Sequence, residues 1–240
     1  MKEFIGLFKE LSNVKLNTRP LFISLEGGEG AGKNTQKYFI EKLIQYNDIP
    51  LMGNKYSEVV MGREPTNYSK AGKKFNFNLN NDVSMSSEEQ TKLVVQDREE
   101  HCHIIKKDIS IGRFYISDRF LDSTFAYQVL KGMDLKQIVH MHKEKKILIP
   151  DITIYISVNG DESLRRTKNR IIKDSFDSDK NLILNLDQAY KRWFEKTQEY
   201  FPGRHIILVD GNKSVDEVKT EIFEKLVETI KNDYSFFKNI

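Results

Sequence analysis

Leu21-Phe22-Ile23-Ser24-Leu25-Glu26-Gly27-Gly28-Glu29-Gly30-Ala31-Gly32-Lys33-Asn34-Thr35 sets the architecture of this chain. The first five residues form an apolar run of strand length, closed by glycines. Gly27, Gly32 and Lys33 satisfy the spacing G-x-x-x-x-G-K. Glycines there let successive backbone N–H groups curl inward around phosphate oxygens. A helix opening at Gly32 adds the positive end of its dipole. The ammonium of Lys33 supplies a mobile charge for the outer phosphates of a bound anion. A strand before this loop and a helix after it are the context in which such a loop binds phosphate. Gly27, Gly28, Gly30, Ala31, Gly32, Lys33, Asn34 and Thr35 are therefore the candidate phosphate-binding residues.

The pattern repeats outward from this loop. Gly32 to Gln45 carries a helical stripe of Tyr38, Ile40, Leu43 and Ile44. Strand patterns follow at Ser57–Met61, Phe114–Ser117, Ile152–Ile156 and His205–Val209. Between them lie helical patterns over Ser86–Ile109, from about Asp161, over Leu182–Tyr200 and over Val215–Ile230. Ser86 and Glu89 have the spacing of a capping box. The Asn-rich stretch Phe75–Asp82 reads as a loop. Strands alternating with helices at this interval predict an α/β fold: a doubly wound, five-stranded, mostly parallel sheet flanked by helices. In such sheets the ligand sits at the carboxyl ends of the strands.

Composition narrows the class. The chain has 240 residues, 39% hydrophobic and 30% charged, which suits one globular domain. Its 38 basic and 35 acidic residues leave a net charge of +3, which argues against a nucleic-acid coat. Its one cysteine, Cys102, excludes an intrachain disulfide and a thiolate zinc cage, so a cytoplasmic location is the default expectation. No apolar run approaches the roughly 18 residues of a membrane span. Phe4, Ile5, Phe8 and Leu11 give residues 1–18 a helical apolar face, read as an amphipathic extension.

The strand ends carry the remaining chemistry. Gly62-Arg63-Glu64-Pro65 closes the second strand, and Asp118-Arg119-Phe120 closes the third. The long helix between them contributes Asp97-Arg98 and His101. Three arginines thus gather at the end of the sheet that holds the phosphate loop, where their planar forks suit phosphate recognition. Asp118 beside phosphates is placed to orient a magnesium ion or its waters.

These segments together resemble the thymidylate kinase family. The resemblance rests on GGEGAGKNTQ, on Arg63-Glu64-Pro65, on Asp97-Arg98, and above all on Asp118-Arg119-Phe120-Leu121-Asp122-Ser123-Thr124-Phe125-Ala126-Tyr127-Gln128. PDITIYISV before a basic helix fits the same family. The likeness covers about residues 19–230. It implies a three-layer P-loop NTPase fold with a small lid at about 165–181, a kinase domain over 19–232, and a tail at 233–240. It implies transfer of the γ-phosphoryl of ATP to dTMP, with Mg2+ as cofactor and a homodimer as the assembly.

Carried over residue by residue, Glu29 resembles the acidic residue near the acceptor sugar's 3′-hydroxyl. Arg63 and Arg119 would hold the acceptor phosphate, and Pro65 and Ser123 would belong to the dTMP site. Arg98 would reach the pyrimidine O4, with Thr124 and Gln128 along the base's other edge. Tyr127 would pack on the 2′ face of the sugar. Val94 stands where the family carries an aromatic that stacks on thymine. Arg165, Arg166, Lys168, Arg170 and Lys173 fall in the lid, and Asn212 would lie near the adenine. Gly30 stands where some members have an arginine, and in members with glycine there the lid supplies the catalytic arginine, here Arg170. Lys33, Arg119, Arg170 and Asp118 are thus the implied catalytic set. Metal contact falls to Asn34, weakly because the motif wants a hydroxyl there, and to Asp118 through water.

Three other functions fit parts of the pattern, one being a deoxynucleoside monophosphate kinase of broader specificity, since Val94 stands where an aromatic would stack on thymine. A deoxynucleoside kinase needs a carboxylate base after the second strand, and Glu64 stands there. A weakly active nucleotide-binding protein would follow from Asn34 limiting the metal contact.

Overall fold

The computed structural model describes residues 19–46, 58–168 and 179–232. The expected extension over 1–18, the tail over 233–240, Ser57, Arg170 and Lys173 lie outside the described residues.

Five strands form the sheet: β1 (Phe22–Glu26), β2 (Val59–Arg63), β3 (Phe114–Asp118), β4 (Ile152–Ser157) and β5 (His205–Asp210). Their order is β2-β3-β1-β4-β5 and every pairing is parallel. Among the described residues, eight helices connect and cover them. These are α1 (Lys33–Tyr46), α2 (Lys70–Asn80), α3 (Ser87–Ser110), α4 (Leu121–Leu130), α5 (Leu135–Glu144), α6 (Gly160–Thr167), α7 (Lys180–Tyr200) and α8 (Val215–Asn232).

Parallel strands need covered faces, and successive side chains point to opposite ones. Ile23 and Leu25 of β1 point to a core with Ile40 and Leu43 of α1 and Ile222 and Leu226 of α8. Phe22 points the other way, to Ile105 of α3, Phe125 of α4, Ile138 of α5 and Trp193 of α7. There the Phe125 and Trp193 rings stack at 3.7 Å between centroids. β1 is buried along its whole length, which is why it reads as an unbroken apolar run and not as an alternation.

The chain between β2 and α3 departs from expectation. Phe75–Asp82 is not a loop: residues up to Asn80 belong to α2. Ser69 caps that helix by accepting the Gly72 N–H at 2.8 Å. Ala71, Phe75 and Leu79 recur at helical spacing and are buried, the last two against Val94 of α3. The buried stripe outweighs the weak helix propensity of the asparagines, which lie off that stripe. β2 also runs two residues past its expected end, because Gly62 and Arg63 pair in register with Ser117 and Asp118. The capping box of Ser86 and Glu89 is present as read. α4 and α5 were not anticipated from periodicity.

Candidate phosphate and acceptor site

The loop after β1 crosses the middle of the sheet. Gly27 has φ 153°, and a Cβ there would lie 2.8 Å from the Ile156 carbonyl, so glycine is required. The Lys33 ammonium folds back over its own loop and donates to the Gly27 and Gly28 carbonyls, each at 3.0 Å. Burial, and then the charge of Arg119, lower its pKa to about 8. Asn34 and Thr35 lie exposed in the first turn of α1, where backbone N–H groups have no carbonyl partner within the helix.

Arg119 is the bridge between this loop and β3. Its φ is +65°, uncommon for a side-chain-bearing residue, and its N–H donates to the Leu25 carbonyl at 2.9 Å. Its guanidinium turns toward the loop. Nη1 donates to the Gly27 carbonyl at 3.1 Å and to Ser123 Oγ at 3.3 Å, while Nη2 pairs with Glu29. The group lies 5.2 Å from the centroid of the Tyr127 ring, whose hydroxyl donates to Glu29 at 3.3 Å. Glu29, Arg119, Ser123 and Tyr127 therefore form one cluster.

Arg63 and Arg98 reach the same end of the sheet in different states. The Arg63 side chain is 69% exposed, with Nε 4.0 Å from Asp118 Oδ2. Asp118 itself is buried, and its Oδ1 has no hydrogen-bond partner among the described residues. A buried carboxylate oxygen left open can ligate a hard divalent cation or accept hydrogen bonds from its waters.

Arg98 is buried and held on three sides. Nε donates to Glu64 Oε2 at 2.7 Å, Nη1 to His142 Nε2 at 2.7 Å and Nη2 to the Phe120 carbonyl at 3.0 Å. Burial, and then the Arg98 charge, lower the His142 pKa to about 3. That ring is neutral, with its Nδ1–H donating to the Ile138 carbonyl at 2.8 Å. The other Glu64 oxygen accepts from His101 Nδ1 at 2.8 Å. Both oxygens of Glu64 are thus committed, which leaves it poorly placed to take a proton from a hydroxyl substrate. Pro65 follows Glu64 in a cis peptide. Thr66, next in the chain, donates its N–H at 2.7 Å and its hydroxyl to Asp97 of α3.

Val94 is buried against Phe75 and Leu79 one turn before Arg98. Thr124 and Gln128 are buried on α4. On the other side of the loop, α6 brings part of the expected lid into contact. Arg166 Nη1 donates to the Gly30 carbonyl at 3.2 Å and Ser163 donates to the Glu29 carbonyl. Arg165 pairs with Glu162 at 2.6 Å and points outward, and Lys168 is exposed at the end of α6. Asn212 links the β4 and β5 ends: its Oδ1 accepts from Asn159 Nδ2 at 2.9 Å and its Nδ2 donates to Asp210 at 2.7 Å.

Sequence reading missed three residues of this region. Glu26 closes β1 fully buried, accepting from the Phe120 N–H at 2.8 Å, Ser123 Oγ at 2.6 Å and the Tyr190 hydroxyl at 3.1 Å. Burial, and then the charge of Asp122, raise its pKa to about 7. A carboxylate closing an apolar strand beside a glycine loop was the available signal. Tyr190 and His142 gave none, since both lie within ordinary helical patterns.

A family model described as thymidylate kinase matches residues 25–222. A thymidylate kinase of Nitrosomonas europaea is 31% identical over 221 residues, 90% of this chain and 96% of that protein. One from Mycoplasmopsis agalactiae is 30% identical over 230 residues, covering 91% and 100% respectively. A probable thymidylate kinase of Thermococcus gammatolerans is 29% identical over 210 residues, covering 84% and 93%.

Proposed function

This chain belongs to the thymidylate kinase family, and on that premise we propose that it transfers the γ-phosphoryl of ATP to dTMP, giving ADP and dTDP. The observation that carries the reading is Arg119. It spans from the end of β3 to the phosphate loop, bonded at once to Gly27 and Glu29. A cation at that joint neutralises charge between donor and acceptor phosphates.

The acceptor needs no base. A phosphate monoester has a second pKa of about 6 and is largely dianionic at neutral pH. Catalysis then rests on positioning and charge neutralisation. Lys33 leaves the Gly27 and Gly28 carbonyls for the outer phosphates of ATP. Arg63, exposed at the end of β2, and Arg119 hold the acceptor phosphate. Glu29 exchanges its bond to Arg119 for the acceptor sugar's 3′-hydroxyl, and Tyr127 covers the 2′ face. Arg98 stands at the base edge, with Val94 beside the ring and Thr124 and Gln128 opposite. Asn212, joining the loops after β4 and β5, lies near the adenine. From the lid at about 165–181, Arg170 completes the charge set, with Arg165, Arg166, Lys168 and Lys173 around it.

Asp118, with its open Oδ1, and Asn34 suit a Mg2+ ion, Asp118 through water and Asn34 weakly. When bound, Mg2+ neutralises charge on the β- and γ-phosphate oxygens. The kinase domain spans 19–232. A homodimer is the assembly that the family resemblance implies. No helix among the described residues is long and apolar enough to cross a membrane. A cytoplasmic location fits the single buried thiol of Cys102, whose pKa burial raises to about 11.

A coupled assay of ADP release with ATP, Mg2+ and each of dTMP, dUMP and dCMP tests the proposal. Turnover is expected with dTMP foremost. No turnover with any monophosphate overturns it.

A further inference from the structure

Gln128 of α4 is 3% exposed, and its Oε1 has no hydrogen-bond partner among the described residues. Its Nε2 donates to Gln90 Oε1 of α3 at 3.2 Å. The same Gln90 oxygen accepts from the Lys131 ammonium at 2.9 Å, and Gln90 Nε2 donates to the Met85 carbonyl at 3.2 Å. These bonds run in one direction only. Lys131 is a donor with no acceptor capacity, so it requires the oxygen of Gln90 to face it. Reversing Gln90 would set its NH2 against the ammonium and its oxygen against the Met85 carbonyl. With Gln90 fixed, reversing Gln128 would set two amide oxygens 3.2 Å apart. The chain Lys131, Gln90, Gln128 therefore ends in a buried hydrogen-bond acceptor.

Gln90, Val94 and Arg98 fall on one stripe of α3 at i, i+4 and i+8, and Thr124 and Gln128 on one stripe of α4 at i and i+4. The Gln90–Gln128 bond joins the two stripes. We propose that Lys131 and Gln90 are positioning residues that hold Gln128 as an acceptor and thereby select a pyrimidine bearing a ring N–H over cytosine. This rests on the reading of the α3–α4 strip as the acceptor-base site.

The chemistry follows from the two edges of the base. Thymine and uracil present an N–H at ring position 3 and a carbonyl at position 4. The N–H donates to Gln128 Oε1 and the carbonyl accepts from Arg98, a group that only donates. Cytosine presents a lone pair at position 3 and an amino group at position 4. It sets acceptor against acceptor and donor against donor. A polar site built this way rejects the mismatched base because its own buried groups are left unpaired.

The test compares kcat/KM for dTMP, dUMP and dCMP in the full chain and in Lys131→Met, Gln90→Leu and Gln90→Glu. Lys131→Met and Gln90→Leu free the Gln128 amide to turn. The dTMP-to-dCMP ratio is expected to fall about tenfold or more in each. Gln90→Glu loses the bond to the Met85 carbonyl and some stability with it, but it still accepts from both Lys131 and Gln128, so it is expected to keep the wild-type ratio. The dTMP-to-dUMP ratio is expected to stay constant throughout, because both bases carry the N–H. If Lys131→Met and Gln90→Leu lose activity on all three substrates in proportion, the two residues are structural and the proposal fails. If wild type turns over none of the three, the acceptor-site reading fails instead. Lys131 is half-buried at the end of α4, so its methionine variant is the one best placed to fold.

Discussion

Replacing Glu64 by glutamine removes the one carboxylate paired with Arg98 among the described residues. Both Glu64 and Arg98 side chains are at most 3% exposed, and they meet at 2.7 Å. Of the three partners of Arg98, His142 is neutral and the Phe120 carbonyl carries no full charge. Glutamine keeps the shape but leaves a buried guanidinium without a counter-charge. Breaking one side of a buried pair costs about 3–5 kcal/mol. For a domain of this size each kcal/mol is about 2–4 °C, so Tm should fall by about 6–20 °C. Thermal and urea unfolding of wild type, Glu64→Gln, Arg98→Met and the double variant provide the assay. The double variant removes both charges and should be less destabilised than the sum of the singles, by about 1–3 kcal/mol. A Tm for Glu64→Gln within about 2 °C of wild type, together with additive singles, refutes the reasoning. That result would return Glu64 to the role of an available base.

Three further outcomes follow from the same geometry. With the Lys33 pKa at about 8 in the unliganded protein, ATP binding needs the charged form. KM for ATP should rise as pH climbs through 8, and calorimetry above that pH should show proton uptake on binding; Lys33→Met should lose the dependence and about 10² or more in kcat. Glu26, raised from 4.5 to about 7, holds its proton more tightly folded than unfolded. Unfolding free energy should therefore fall as pH rises from 4.5 toward 7, and Glu26→Gln should flatten that slope when measured by urea titration across the range. Asp118→Asn weakens the open buried oxygen at the phosphate end of the sheet. The Mg2+ concentration for half-maximal rate should rise about 10–100-fold, read from rates at fixed ATP.

Much of this fold was legible because buried parallel strands are written as plain apolar runs. Phe22–Leu25 and Ile152–Ile156 could be read with the glycine loop, and from those the sheet followed. α2 was not legible, since its asparagines mimic a turn while Phe75 and Leu79 bury against Val94, a contact 15 or more residues away in sequence. The site divides in the same way. Loop residues and the strand-end arginines could be named from the sequence because their chemistry is local to a motif. Glu26, Tyr190 and His142 were not found, because each acts through a partner on a different element: Ser123, Glu26 and Arg98 respectively. The family resemblance assigned Arg98 to the base edge without revealing that Glu64, His142 and Phe120 already hold three of its donors.

The central claim is that the acceptor is a phosphate monoester held by arginines, with no protein base. Initial rates with dTMP and with thymidine, at saturating ATP and Mg2+, test it most directly, with the product identified by ion-exchange chromatography. The account predicts dTDP from dTMP and no phosphorylation of thymidine. Conversion of thymidine to dTMP, without formation of dTDP, would contradict it.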